Sequence, residues 1–559
     1  MKILGLSPFH DSSATLINDG VIQKYYKEER LNREKRSSFP EASLKKCLDE
    51  VDQLDAFAYS AAAHKIIFPS REENFQQFFD LWKSKVQNIV EVSEIIDMSR
   101  MHHYQHAASS FYASGFEDAA VVVVDGRGSY FGTIAETETI FYASYPDNFI
   151  PVYKAYEKTF SFKDVDVDIE RKRLPDCEIK VSSNLGITHL YCTATHLINQ
   201  SFLENGKTMG LSAYGDKTID YESLLLHGEA LVDPKNFIDL EIDSSVDSIF
   251  PITYHKDHVG LQNNVTIDNY QMYANYALHV QIETEKALEI LINKAIEKTG
   301  SKNVCLAGGY GLNVVNNYSL INKFPQVKFF FDPMSDDSGA SIGGAMLSYR
   351  NLTKDKKIYP IKNNFIHGVD HDLSKISGTD INIERIAELL LENKIVAMYY
   401  GLAEGGPRAL GNRSILFNPT VSNGKEIVNK VKKREWYRPF AASMLEEEAD
   451  RYFEYVDNIG YEYMTINAMA KDVARKELTA VVHEDGSCRI HIVKDNSHPL
   501  FKLLTSFKEI TGIGVLLNTS FNLAGDPLIE TPQEAIGTWK ISDIDCLWFP
   551  KIQTALIKT

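Results

Sequence analysis

Hydrophobic positions along this chain change period as it proceeds, and the changes mark out elements. Lys2 to Ser7 is a short apolar run, and the runs Phe9 to Ile17 and Val21 to Tyr26 are separated by Asn18-Asp19-Gly20. An Asp-Gly pair between two such runs predicts a tight hairpin. Residues 41 to 100 alternate helical periodicity with one short strand, Ala56 to Ala61. Met101 to Ser110 reads as a helix, and Ala119 to Val124 as a buried strand ending in Asp125-Gly126. Residues 130 to 180 read as sheet followed by a charged surface excursion, Lys163 to Lys180. A helix follows from about His189 to Gln200, then a glycine-rich bend over Asn205 to Gly215 and an acidic, irregular stretch from 216 to 265. A long helix, Asn269 to Thr299, stops at Gly300 and feeds the strand Asn303 to Ala307. A further strand, Val327 to Phe331, precedes a small-residue helix.

Periodicity is lost from Asn351 to Leu373 and resumes with a helix over Ile383 to Asn393 and a strand over Lys394 to Tyr400. Strands alternating with helices predict an α/β protein. A chain of 559 residues exceeds one hydrophobic core, which divides it into domains at 1–352 and 375–559 with a linker at 353–374.

Composition narrows the class. With 59 Lys and Arg against 76 Asp and Glu the formal charge is −17, so no global basic footprint faces nucleic acid or an anionic membrane. No apolar run reaches membrane-spanning length, and the opening Met1 to Leu6 lacks the apolar core of a signal peptide. Cys47, Cys177, Cys192, Cys305, Cys488 and Cys546 are far apart and form no CxxC pair, which predicts reduced thiols and a cytoplasmic location.

Candidate chemistry gathers at a few places. His102 and His106, four apart, project from one face of a helix, while His103 points about 100° away. Asp125 lies at a strand tip, and Asp337 in the loop after the last strand completes a possible two-histidine, two-aspartate shell for iron, zinc or manganese. Lys35 sits in a charge-dense run after the first hairpin, where it can reach an anion; a solvated helix end is the plainer reading. Gly308-Gly309 after a strand lets backbone approach a phosphate. The glycines around Lys207 are too irregular for a P-loop. In the last third, Gly406-Pro407-Arg408-Ala409-Leu410-Gly411-Asn412-Arg413-Ser414 sets charges in a tight small-residue frame. Asn429 to Phe440 is rich in lysine and arginine, Val482 to Ile490 reads as a hairpin tip with Arg489 on the return strand, and Leu516 to Asn522 closes the set. Arginine's fork suits phosphate and carboxylate oxygens.

The string Gly406 to Ser414, with Phe9-His10-Asp11-Ser12-Ser13-Ala14, Glu28-Glu29-Arg30, His102-His103, His106 to Ser109, Val124-Asp125-Gly126, Gly206 to Leu211, Leu306 to Gly309, Arg438-Pro439-Phe440 and Leu517 to Asn522, resembles the O-carbamoyltransferases of the nodulation and antibiotic-tailoring family over nearly the whole length. The resemblance implies an N-terminal domain of the actin-like ATPase class, similar to the tRNA-threonylcarbamoyl transferase subunit, and a C-terminal α/β YrdC-like domain. It implies that carbamoyl phosphate and ATP, with Mg2+, give a carbamoyl-adenylate whose carbamoyl group passes to an acceptor hydroxyl. On this chain it implies an Fe2+ site, or one for another divalent metal, at His102, His106, Asp125 and Asp337, with His10 as the base. Lys35, Gly186, Asn313 and Asn317 would line the adenylate in the first domain. Arg408, Arg438, His483, Arg489 and Asn518 would hold carbamoyl phosphate and nucleotide phosphates in the second.

The acceptor is expected to be a small molecule or saccharide with a free hydroxyl. The acidic balance disfavours a hydroxymethylated base in nucleic acid, and no membrane partner is expected. The competing readings are an actin-like sugar kinase, which needs neither a second basic domain nor a histidine pair, and a non-catalytic nucleotide-binding regulator.

Overall fold

The computed structural model describes residues 1–60, 73–131, 134–158, 165–182, 185–198, 203–220, 265–266, 268–456 and 459–558. Its contacts fall into two units: Met1–Phe9, Thr15–Val21 and Leu48–Pro360 in one, His10–Ala14, Ile22–Cys47 and Ile361–Thr559 in the other. The break after Pro360 lies inside the stretch read as a linker. Residues 10–14 and 22–47, read as part of the first domain, pack instead with the C-terminal unit. The reason is a set of long-range bonds that local periodicity cannot announce. Arg30 Nη2 donates to the Gly406 carbonyl at 3.2 Å, Arg33 donates to the Leu528 and Pro527 carbonyls at 2.8 Å each, and the Lys27 N–H donates to His367 Nε2 at 2.8 Å.

Among the described residues twelve strands come first: β1 (Lys2–Ser7), β2 (Ser13–Asn18), β3 (Val21–Lys27), β4 (Gln53–Tyr59), β5 (Glu91–Asp97), β6 (Asp118–Val124), β7 (Tyr130–Phe131), β8 (Ile134–Ser144), β9 (Asn148–Lys158), β10 (Glu178–Ser182), β11 (Asn303–Ala307) and β12 (Lys328–Phe331). One sheet runs β3-β2-β1-β4-β5, and a seven-stranded sheet runs β10-β9-β8-β6-β11-β12 with β7 on β8. With β7 and β10 set aside, the second sheet repeats the order of the first: third, second, first, fourth, fifth. Helices repeat too. Glu73–Gln87 follows β4 and His102–Ser114 follows β5, as Val314–Lys323 follows β11 and Ala340–Thr353 follows β12. This doubled architecture is the one expected of an actin-like domain. The valine strand β6 is apolar throughout because it lies between β8 and β11 under helices, and Val121 to Val124 are fully buried.

The last helix of each repeat, His102–Ser114 and Ala340–Thr353, pack on each other. They approach to backbone contact: a Cβ on Gly343 would lie 1.9 Å from the Gln105 carbonyl oxygen. Small residues in the second helix therefore bring the histidine helix up against the loop that carries Asp337. The hairpin at Asn18 forms as expected, with Asp19 (φ 48) and Gly20 (φ 76) both left-handed. Asn205–Ser212 is a helix rather than a bend, because it packs on the long helix Tyr270–Thr299 and that burial outweighs two glycines. The charged excursion is also built in: Glu178–Ser182 pairs parallel to β9, and the Tyr156 hydroxyl donates to Glu170 at 2.7 Å. The stretch from 221 to 264 lies outside the described residues.

In the C-terminal unit, the middle of a ten-stranded sheet sets Val396–Tyr399, Arg413–Phe417, Val515–Ser520, Ala441–Met444 and Ser487–Ile492 side by side in that order. The helices Ile383–Leu391 and Pro499–Thr511 lay Ile386, Leu390, Leu503 and Phe507 on Met398, Leu416, Leu516 and Trp548. Every cysteine is a free thiol. Among the described residues no helix is long and apolar enough to cross a membrane.

Candidate active site

His102, His106, Asp125 and Asp337 converge: one ligand atom from each lies within 4.8 Å of every other, and all are buried. His102 Nε2 is 3.1 Å from His106 Nε2 and 3.2 Å from Asp125 Oδ2; Asp337 Oδ1 is 3.4 Å from His106 Nε2 and 3.6 Å from His102 Nε2. Each element has a local reason to be there. The Ser129 hydroxyl accepts the His102 N–H at 3.1 Å in the first turn, where no helix carbonyl is available. Gly115, at φ 77, ends the helix. Asp125 is aimed by the Gly309 N–H, which donates to its Oδ1 at 3.1 Å.

That bond corrects the reading of Gly308-Gly309 as a phosphate cradle, since the Gly309 N–H belongs to the carboxylate. Gly308, at φ 84, lets the loop touch β6; a Cβ there would lie 2.4 Å from the Val124 carbonyl oxygen. Burial by itself pushes the Asp125 carboxyl up, but its hydrogen bond to His102 and the surrounding imidazoles hold it well below the ordinary carboxylate range. His106 is raised: Asp337 and Asp125 outweigh burial. His103 does point elsewhere, with Nδ1 2.7 Å from Thr139 Oγ1, and burial drops it to about 4. Two imidazole nitrogens and two carboxylates in a buried cup suit a borderline divalent cation such as Fe2+, Zn2+ or Mn2+.

The other expected residues of the first unit serve its loops. Gly186 caps the helix Ile187–Leu197, whose first N–H donates to Glu138 Oε1 at 2.7 Å; burial raises that carboxyl to about 7. Asn313 caps Val314–Lys323, its Oδ1 accepting from the Asn316 N–H at 3.1 Å, and Asn317 Nδ2 donates to the Gly311 carbonyl at 2.8 Å. His10 and Lys35 belong to the C-terminal unit. The ring of His10 is partly exposed, with Nδ1 3.4 Å from Asp11 Oδ2.

The C-terminal unit concentrates positive charge. Arg408, Arg438 and Arg489 act on one another, and the structure adds Arg434, Lys432 and Lys35 to them. Burial first and neighbouring guanidiniums second lower Arg408 and Arg434 well below the ordinary arginine range, and Arg489 to about 10. Lys432 is lowered well too, by burial and then by Arg434, Arg438 and Lys35. Lys35 thus adds its charge to this cluster.

Half-buried arginines crowded around a buried lysine favour an incoming anion, because both desolvation and mutual repulsion are relieved by it. The loop that presents Arg408 folds around one carboxylate: Glu404 Oε1 accepts the N–H groups of Leu410, Asn412 and Arg413 at 2.7, 3.0 and 3.3 Å. Arg413 is structural, donating to the carbonyls of Tyr400 (2.7 Å), Gly401 (3.1 Å) and Glu530 (3.2 Å) over the Tyr399 ring.

Lys432 and Arg434 lie within the basic run, where composition alone does not distinguish them from solvated neighbours. Phe440 was the available signal: Arg434 lies 4.3 Å from its ring centroid and donates to Asn429 Oδ1 at 2.5 Å. Lys432 Nζ ties down the final motif, donating to the Ser520 and Asn522 carbonyls and to Asn522 Oδ1, the last at 3.0 Å. His483 sits in the turn before Ser487–Ile492, its Nδ1 accepting the Glu484 N–H at 2.9 Å.

Residues 70–346 match the family model of the carbamoyltransferase N-terminus, and residues 387–555 that of the carbamoyltransferase C-terminus. The chain belongs to the carbamoyltransferase family. The N-terminal match contains the four converging ligands, and the C-terminal match contains every cation of the cluster except Lys35. This carbamoyltransferase is 27% identical to nodulation protein NolNO of Sinorhizobium fredii over 96% of its own length and 78% of that protein. It is 34% identical to nodulation protein U of Azorhizobium caulinodans over 40% of each chain. Among solved structures, full-length HypF in its phosphate- and nucleotide-bound form is similar with a TM-score of 0.36 and 14% identity, covering 63% of this chain and 56% of that one.

Proposed function

We propose that this carbamoyltransferase activates a carbamoyl group with ATP in its C-terminal unit and then passes it to an alcohol. Carbamoyl phosphate, ATP and one water would give carbamoyl-adenylate, pyrophosphate and phosphate. The acceptor hydroxyl would then attack the carbamoyl carbon, forming the carbamate ester and releasing AMP and the hydroxyl proton.

The observation that carries this reading is the cluster of half-buried Arg408, Arg434, Arg438 and Arg489 around buried Lys432. Carbamoyl phosphate is a dianion and ATP brings further charge, and preorganised cations in a low-dielectric site oppose their repulsion. His102, His106, Asp125 and Asp337 would hold a divalent metal. Such a metal, when bound, supplies Lewis-acid stabilisation of charge on an oxygen. His10 is the proposed base: imidazole exchanges a proton near neutral pH, and a general base of this kind contributes ~10²–10⁴-fold. The acceptor is proposed to be a small-molecule or saccharide hydroxyl.

The test is pyrophosphate release from ATP with and without carbamoyl phosphate, coupled to mass spectrometry of a panel of hydroxyl compounds for one added carbamoyl. Release that ignores carbamoyl phosphate would sink the reading. His10→Ala is expected to retain pyrophosphate release and lose transfer; full transfer by that variant removes His10 from the mechanism.

A further inference from the structure

Next to His103, on β8 and β9, lies an ion pair outside both the ligand quartet and the arginine cluster. Lys154 on β9 donates to Glu136 Oε1 on β8, and both side chains are fully buried. The Lys154 ammonium also lies 5.5 and 5.4 Å from the ring centroids of Phe131 and Tyr156. Burial works against the charge on Glu136, and Lys154 beside it more than compensates, holding the carboxyl below its ordinary range. A buried pair of this kind adds little net stability, because desolvation offsets the attraction. Its presence calls for another reason.

The second carboxylate oxygen supplies one. Glu136 Oε2 accepts the Ser129 N–H at 3.0 Å, and the Ser129 hydroxyl is the group that accepts the His102 N–H at 3.1 Å. Ser129 closes the short loop that Asp125 opens, so one loop carries a ligand at one end and the anchor of the histidine helix at the other. Between them the chain has little room. A Cβ on Gly128 would lie 2.6 Å from His103 Nε2 and 3.0 Å from Glu136 Oε2, so the loop threads between imidazole and carboxylate. The Asp125 N–H donates to the Thr137 carbonyl at 3.1 Å, and the Gly128 N–H to the Glu136 carbonyl at 2.9 Å. Those bonds fix the loop on β8. The Glu136 carboxylate fixes the peptide from which the Ser129 hydroxyl reaches His102.

We propose that Lys154 and Glu136 are positioning residues for the metal centre: the pair holds the Ser129 peptide, and through it sets His102 against Asp125. The inference rests on the reading that His102, His106, Asp125 and Asp337 hold a divalent cation, and adds two residues outside the ligand set.

Calorimetric titration of the full-length protein with Mn2+ tests it, since carboxylates suit this ion and thiolates do not select it. Replacing both charges at once strands neither. Glu136→Leu/Lys154→Met, of similar volume, is therefore expected to unfold near the wild-type denaturant midpoint. It should nevertheless bind Mn2+ about 10–100-fold more weakly, the loss that follows removal of a ligand's supporting partner. Glu136→Gln/Lys154→Met restores an uncharged acceptor for the Ser129 N–H and is expected to recover most of that loss. Ser129→Ala, which leaves the ion pair in place and removes the anchor, should weaken Mn2+ binding in the same direction. Wild-type affinity in Glu136→Leu/Lys154→Met, or no recovery in the glutamine variant, overturns the proposal, because the pair then serves the fold alone. Should the leucine variant fail to fold, Ser129→Ala decides, and unchanged affinity there overturns the proposal equally. A wild type that takes up none of Mn2+, Fe2+ and Zn2+ brings down the underlying ligand assignment instead, and so separates the two failures.

Discussion

At the scale of single residues, the convergence of His102, His106, Asp125 and Asp337 states a charge problem. Two carboxylates in a buried cup with two imidazole nitrogens 3.1 Å apart require protons or a cation. His102→Ala is expected to lose the bound divalent metal, while His103→Ala, whose ring is bonded to Thr139, keeps it. Elemental analysis of both dialysed variants decides, and equal metal content in them rejects the ligand assignment. This quartet was legible in the sequence because each part has a local signature: an i, i+4 pair, a strand tip and a loop before a helix. The Gly309 N–H on Asp125 was not, because a glycine's donor carries no mark of what it serves.

A second residue prediction concerns pH. His491, ordinarily near 6.5, is held at about 3 by burial and by His498. The unfolded chain therefore takes up a proton below pH 6.5 that the folded chain refuses until about pH 3. Stability present above 6.5 is lost on acidification, by about 2 kcal/mol between pH 6.5 and 5 from this group. Denaturant midpoints at pH 7 and pH 5 measure it. His491→Gln should flatten the dependence, and identical slopes for variant and wild type would count against the assignment.

At the scale of elements, the site depends on how closely two helices meet. Gly343 allows the helix Ala340–Thr353 to touch the backbone of His102–Ser114 at Gln105, one residue before His106. Gly343→Ala forces the pair apart, and overpacking of this kind costs about 1–3 kcal/mol. The same displacement separates Asp337 from the histidines, so the variant should both melt earlier and bind metal more weakly than wild type. A melt shift with unchanged metal affinity would show that the helix contact does not set the site. Elements with a strong period were readable: the valine strand, the long helix over 270–299 and the amphipathic helix at Ile383. Asn205–Ser212 was not, since its glycines argue for a bend until the neighbouring helix supplies burial.

At the scale of the whole molecule, the allegiance of residues 22–47 is the feature that sequence order conceals. Motif order places Lys35 in the first half of the chain, yet its charge acts on Lys432, and the Lys27 N–H completes His367, whose Nδ1 is 2.8 Å from Glu530. Burial pushes the Glu530 carboxyl up, but His367, His371 and Arg413 more than reverse it, so the carboxylate stays charged inside the unit. A fragment spanning 361–559 would keep the C-terminal sheet but lose the donors from Lys27, Arg30 and Arg33, and with them one cation of the cluster. Unpartnered buried acceptors cost about 1–3 kcal/mol each, so the fragment should unfold at lower denaturant than the C-terminal unit does in the full chain. It should also bind inorganic phosphate more weakly. If the fragment matched the full chain in both measurements, residues 22–47 would be passengers on this unit rather than part of it. The two family matches, which begin at 70 and 387, would then mark its working boundaries.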